Sequence, residues 1–251
     1  MTTIVFAQQV SGLVLALVIV LLVGPALPPP GDVGLSAGAG IGAMVGLAYL
    51  YRGLALGRMS VVAPLSAAGA AVLEVGWGLA RGERPGAQVL VGGALVLFAV
   101  VVIAGDIPGD DREVTFPREV SLATAAAVGF AASFVLLAGT SRASGFWPVV
   151  IGRSAAAVVL LAVLVPRGRP LLPARRDVGL VVSSGFLDAG ANILLLVAVR
   201  HDALALVAPM AALYPAATVV LARFVLAERI GWRRALGLAI ALAGLGLLAA
   251  G

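Results

Sequence analysis

The sequence predicts an all-α integral membrane protein whose nine transmembrane helices form two inverted repeats, four helices in the first and five in the second. Three observations lead there. Apolar residues fill 61% of the 251 positions and charged residues only 12%, about half the charged share of a water-soluble domain. The apolar residues gather into nine runs of helix length between short polar turns. One stretch of the first half also returns near the C-terminus in a fixed register.

That register sets the working unit. Val62-Ala63-Pro64, an apolar run and Glu83-Arg84-Pro85-Gly86 come back as Val207-Ala208-Pro209, an apolar run and Glu228-Arg229-Ile230-Gly231. Each landmark stands 145 residues from its mate, and the same spacing lays Asp32 on Asp177 and Gly92 on Gly237. No insertion or deletion separates the copies, so one register predicts a duplication.

Crossing a hydrocarbon core of about 30 Å takes roughly 20 apolar residues in a helix. Residues 4–23 meet this and end at Gly24-Pro25 and the turn Pro28-Pro29-Pro30. Residues 33–54 follow, rich in small residues (Gly38, Gly40, Gly42, Gly46) that let helix backbones approach closely. Residues 60–79 and 87–104, parted by the polar turn 81–86, complete a first repeat at 1–106. Residues 107–119 carry Asp110, Asp111, Arg112, Glu113, Arg118 and Glu119 and read as the linker. The second repeat, 120–251, supplies spans at 120–140, 146–165, 178–199, 204–227 and 232–250.

At the 145-residue spacing, 4–23 pairs with 146–165, which leaves 120–140 without a counterpart in the first repeat. Either the protein has nine spans or the gene starts upstream. The unmatched helix predicts a groove on the first repeat, with the glycine-rich helix 33–54 open to lipid. A complete unit of five helices is odd in number, so the second copy enters from the opposite face, as in many secondary transporters.

Composition excludes several classes of function. The net charge of +5 comes from seventeen arginines and no lysine, set between apolar runs where they meet phospholipid head groups rather than nucleic acid. With no cysteine there is no disulfide, thiolate metal site or cysteine nucleophile. No phosphate-binding glycine loop or paired metal ligands occur, so no cofactor is expected. No catalytic pair lies near an interface, which weighs against an intramembrane enzyme acting on lipid. His201, beside Arg200 and Asp202 in a short predicted loop, is alone and makes no metal site. The first arginine is Arg52, so the opening run reads as a span and not as a cleaved signal peptide.

Charged groups inside a span are costly, about 2.5–3.5 kcal/mol each at the centre, and call for a partner or a task. Glu74 lies within 60–79; it is either a proton carrier or a carboxylate reaching back to Arg81. Asp188 sits deeper, with Ser184 and Asn192 four residues to either side, so the three share one helix face. That face is expected to line a central polar cavity, with a solute or proton role, or else to make an interhelical hydrogen bond. Arg153 either compensates Asp188 or Glu74 or binds an anionic group of a solute. Tyr214-Pro215 is expected to break the helix 204–227, with Tyr214 on the cavity wall. Pro64 and Pro209 loosen equivalent helix starts. Gln8, Gln9, Tyr49 and Tyr51 are softer candidates, and Arg223 reads as snorkelling at its helix end.

The pattern of an alanine-proline helix, a Glu-Arg turn and a glycine-rich closing helix resembles the drug/metabolite transporter superfamily, EamA-like branch. It stands here as Ala63-Pro64, Gly82-Glu83-Arg84 and Gly92, then as Ala208-Pro209, Ala227-Glu228-Arg229 and Gly237. Arg153 falls where members often carry an arginine; Gln8 holds the place 145 residues earlier. The resemblance implies a bacterial inner-membrane secondary carrier of ten helices in two inverted halves, here lacking the first helix. A small metabolite or drug-like compound would move through a central cavity by alternating access, coupled to protons if Glu74 or Asp188 titrates. A truncated, non-transporting membrane subunit is the alternative, and an in-frame apolar helix upstream would favour the carrier. Orientation is open: arginine-rich loops near 52–58, 112–118, 167–176 and 229–234 put the N-terminus inside, whereas the resemblance puts the C-terminus inside.

Overall fold

The computed structural model describes residues 2–24, 26–57, 59–104, 116–213 and 231–250. Among them are nine α-helices and no strand: α1 (Thr2–Val23), α2 (Pro30–Leu56), α3 (Met59–Ala80), α4 (Ala87–Ala104), α5 (Phe116–Ala138), α6 (Trp147–Leu164), α7 (Val178–His201), α8 (Leu204–Ala211) and α9 (Trp232–Ala250). Among the described residues five stretches are long and apolar enough to cross a membrane: Thr3–Val23, Pro30–Leu56, Pro117–Ala138, Trp147–Arg167 and Arg175–His201. Leu65–Ala80, Ala87–Val102 and Ala235–Leu248 are shorter apolar helices. The expected span 204–227 begins as α8, but from Tyr214 onward it lies outside the described residues, as do 105–115 of the linker.

Helix ends follow local chemistry. At Gly24 the backbone turns left-handed (φ 64°) and its amide closes on the Val20 carbonyl at 2.9 Å, which stops α1. Helix α5 starts four residues ahead of the expected 120, because Phe116 and the residues after it are helical. Pro117 suits a first turn, where its missing N–H is not needed. Glu119 in that turn complements the helix dipole and is 1% exposed. A polar composition that reads as linker is therefore partly a buried helix start.

Helix starts recur at the register of the sequence: Thr2 and Trp147, Met59 and Leu204, and Ala87 and Trp232 each stand 145 residues apart.

The helices gather into two compact units, each drawing on both sequence copies. In the unit of Met1–Met44 and Ala132–His201, α1 lies along α6 and α7. Its core joins Ala16 and Val20 of α1, Ala39 of α2, Leu137 of α5, Val149 and Val150 of α6, and Ile193 and Leu196 of α7. Helices in lipid gain little from burying apolar surface against each other, so small residues that admit close backbone approach decide where they cross. Helix α2 crosses α6 with Gly40 directly on the backbone of Gly152. Helix α7 crosses α1 with Gly185 so close that a Cβ there would lie 2.5 Å from the Gln8 carbonyl oxygen. Gly40 and Gly185 are themselves 145 residues apart.

The other unit, Val45–Ala131 with Asp202–Gly251, is built on the pairing of α4 with α9. A Cβ on either Gly92 or Gly244 would meet the carbonyl oxygen of the other at 2.9 Å. Helix α8 packs on α3 and α4, where Ala208 and Ala212 join Ala71 with Val75 and Leu97 against them.

The expected opening of α2 to lipid is not found. A Cβ on Gly38 would lie 3.1 Å from Leu136, and one on Gly46 would lie 2.8 Å from Phe130, so α5 covers this face of α2. The reason is a crossover: α5 belongs to the second copy by sequence but packs on a helix of the first. Helix α7 is the open one. Its Ser183 and Ala191, 145 residues from Gly38 and Gly46, are exposed, and Leu180, Leu187 and Leu194 are 71–75% exposed.

Candidate functional site

Arg153 is the centre of the first unit's polar interior. It stands under two turns into α6, only 6% exposed, and its guanidinium must find acceptors among apolar helices. Nη2 donates to Asp188 Oδ2 of α7 at 2.6 Å, an ion pair, and Nη1 donates to Gln9 Oε1 of α1 at 3.1 Å. Nε is buried with no hydrogen-bond partner. Room for the group comes from Gly12, where any Cβ would strike the guanidinium. The close α1–α7 crossing at Gly185 brings the acceptor helix within reach.

The stripe Ser184, Asp188, Asn192 forms as the spacing predicts. Asp188 is 46% exposed at its side chain, Ser184 is exposed and Asn192 half-buried. Each polar neighbour is tied to its own helix: Ser184 Oγ donates to the Val181 carbonyl at 2.9 Å, and Asn192 Nδ2 donates to the Asp188 carbonyl at 2.7 Å. The pairing left open by the sequence is thus Arg153 with Asp188. Gln8 enters only through its backbone carbonyl, which accepts from Ser11 Oγ at 3.0 Å. Its neighbour Gln9 is the side chain that holds Arg153, because one residue around a helix turns a side chain by about 100°.

Glu74 belongs to the other unit, on the buried face of α3 with Ala67, Ala70 and Ala71. It is 2% exposed and makes no hydrogen bond or ion pair to Arg81 or any other group among the described residues. Tyr214, Arg223 and Glu228 lie outside the described residues.

Glu83, picked out as a motif residue, has a defined task. The N-cap of α8 is Ala203, whose side chain cannot accept a hydrogen bond. Glu83 supplies the missing acceptor from the α3–α4 turn: Oε1 takes the Leu204 amide and Oε2 the Ala205 amide, both at 3.0 Å. A carboxylate there satisfies two orphan donors and faces the positive end of the helix dipole. Pro209, inside α8, is buried against Gly93, where a Cβ would lie 3.2 Å from the proline ring. Pro64 sits at the matching place in α3.

A second polar cluster was not foreseen. Asp32, read in the sequence only as a register landmark, is 8% exposed in the first turn of α2. Its Oδ2 accepts from the Ser141 amide at 2.9 Å, from Ser141 Oγ at 2.6 Å and from Ser144 Oγ. Arg200 closes the same corner, donating from Nη1 to the Gly145 carbonyl at 2.6 Å and from Nη2 to the Ser141 carbonyl at 3.0 Å. Arg142 donates to the Arg200 carbonyl. Arg200 and His201 form the last turn of α7 rather than a loop. The available signal was an acid at a helix start together with the Ser141-Arg142-Ala143-Ser144 turn, but nothing in sequence joins segments 109 residues apart.

No curated protein matches the chain. Among solved structures, a crystal structure of a protein of unstated function superposes with a TM-score of 0.80 at 20% identity, covering 99% of this chain and 88% of that one. At that identity the likeness speaks for the fold alone. Residues 117–250 match the EamA-like transporter family, a family of membrane transporters of small solutes. That match takes in α5 through α9, including Arg153, Asp188 and Pro209, and more than half of the chain. The chain therefore belongs to the EamA-like transporter family, within the drug/metabolite transporter superfamily.

Proposed function

We propose that this protein is a multi-pass secondary transporter of the bacterial inner membrane, moving a small metabolite or drug-like solute by alternating access between two inverted repeats, 1–106 and 120–251. The observation that carries the reading is the Arg153–Asp188 pair, with one partner buried at 6% and the other 46% exposed on a helix apolar enough to cross a membrane. A carboxylate at that depth needs a cation or water beside it; Arg153 serves the buried side, and a solute pathway is the source of water that a transporter provides for the exposed side. Asp188, with Ser184 and Asn192 alongside, lines that pathway; Arg153 sets the carboxylate's position, and Gln9 supports Arg153 from α1. Asp188, or Glu74 in the other unit, carries the coupling proton. The partners are then the solute, protons and membrane lipid, and not nucleic acid.

Reconstitution into liposomes with an imposed pH gradient tests this. Proton-driven accumulation of a solute by the wild type, lost in Asp188→Asn with unchanged membrane insertion, supports it. Wild-type accumulation by that variant removes Asp188 from the pathway and turns attention to Glu74→Gln.

A further inference from the structure

We infer that the solute bound at Asp188 is a primary-amine cation, best a diamine whose two nitrogens are one helical turn apart. The inference rests on the transporter reading and deepens it. What carries it is the balance of donors and acceptors on the α7 stripe. Ser184 has one hydroxyl proton, and it is spent on the Val181 carbonyl, so its oxygen faces outward with lone pairs. Asn192 spends one amide proton on the Asp188 carbonyl, which fixes the amide and leaves Oδ1 and the second amide proton unengaged. Asp188 gives Oδ2 to Arg153 and keeps Oδ1 free. Three acceptor atoms against one spare amide proton thus line one face, and the complement of such a row is a ligand rich in N–H donors.

Charge selects within that class. Arg153 is buried behind the carboxylate while Asp188 is 46% exposed, so the ion pair is a dipole with its negative end toward the open side. An anionic group approaching from there meets the carboxylate first and is repelled, and a cation is attracted. The guanidinium holds the Asp188 carboxylate in place from its buried side while remaining out of the ligand's reach. Spacing sets the length: Ser184, Asp188 and Asn192 recur every four residues, about 6 Å along the axis. One ammonium on Asp188 Oδ1 therefore places the far nitrogen of a four-carbon diamine beside Asn192 Oδ1 or Ser184 Oγ. A quaternary ammonium has the charge but no N–H, and cannot use the row.

The test is equilibrium binding to the full chain in detergent, by calorimetry, with butane-1,4-diamine, n-butylamine, tetramethylammonium and butyrate as probes. The diamine is expected to bind most tightly, then butylamine, with tetramethylammonium at least about tenfold weaker than butylamine because charge-assisted N–H bonds are lost, and butyrate not at all. The Ser184→Ala, Asn192→Ala double variant, which leaves the ion pair intact, should bring the diamine down to the level of butylamine. Comparing the four probes on the wild type needs no variant to fold. Equal binding of butylamine and tetramethylammonium, tighter binding of butyrate, or no amine binding overturns the inference. Proton-driven flux of a carboxylate or neutral solute with no amine binding leaves the transporter standing and removes the amine; amine binding in the stated order without flux of any solute does the reverse.

Discussion

Glu83 and Leu204 are 121 residues apart in the chain, yet the carboxylate of one accepts the backbone amide of the other at 3.0 Å. This contact, with its twin at Ala205, starts α8, because Ala203 at the cap position cannot do so. Removing it leaves two amides at the helix end without acceptors. Glu83→Ala is expected to lose about 1–2 kcal/mol, the range of a lost cap with a favourable charge. Thermal unfolding in detergent reads this, with the exposed neighbour Arg84→Ala as the near-neutral control. Equal melting of E83A and wild type would show that the cap is ornamental.

The ion pair of the first unit makes an asymmetric prediction. Asp188→Ala leaves the Arg153 guanidinium buried without its countercharge, which costs about 3–5 kcal/mol. Replacing both, as Arg153→Met with Asp188→Ala, removes the stranded charge and should recover most of that loss. Chemical denaturation of the two single variants and the double variant measures the coupling. Additive losses would mean that the two side chains do not act as a pair.

Gly12 should behave as part of the same group although it has no polar atom. A Cβ there strikes the Arg153 guanidinium, so Gly12→Val displaces the arginine from Gln9 and Asp188. Its destabilisation is expected at about 1–3 kcal/mol, typical of overpacking. In an Asp188→Ala, Arg153→Met background the same substitution should cost clearly less. A loss of the same size in both backgrounds would assign Gly12 to helix packing alone.

At Asp32 the prediction concerns a corner rather than a helix. Asp32→Ala strands the buried Ser144 hydroxyl and frees the Ser141 amide, at about 1–3 kcal/mol for the unsatisfied groups. Hydrogen exchange over residues 139–146 should speed up, while exchange in α4 and α9 stays unchanged. Protection that is unaltered at 139–146 would mean that Arg200 alone holds the turn.

Much of this architecture could be read from hydropathy, because lipid allows only helices and helix length is written in apolar runs. The starts of α1 and α6, and of α3 and α8, repeat the 145-residue register and fall within two residues of the expected ones. Partners were less legible. Ser184, Asp188 and Asn192 were grouped by spacing, which is a property of one helix, but the choice of Arg153 as counter-ion depends on a crossing at Gly185. Gln8 was favoured over Gln9 on register, and side-chain direction reversed the order. Asp32 was passed over because its acceptor role arises only when the α5–α6 turn folds over it. The exposed face was assigned to α2 instead of α7 because the sequence places α5 in the second copy, whereas space places it on the first.

The interleaving of the copies bears on how the protein is made. Helix α1 lies along α6 and α7, and the start of α6 is 145 residues further along the chain. At roughly 5–20 residues per second of synthesis, α1 waits on the order of ten seconds in the bilayer before its partners emerge. During that wait Gln9 faces no guanidinium and Gly12 no neighbour, so the insertion machinery or passing lipids must shelter a helix whose final contacts do not yet exist. A ribosome stalled before α6 would leave the first unit without its centre, and α1, made well ahead of its partners, would settle only after them.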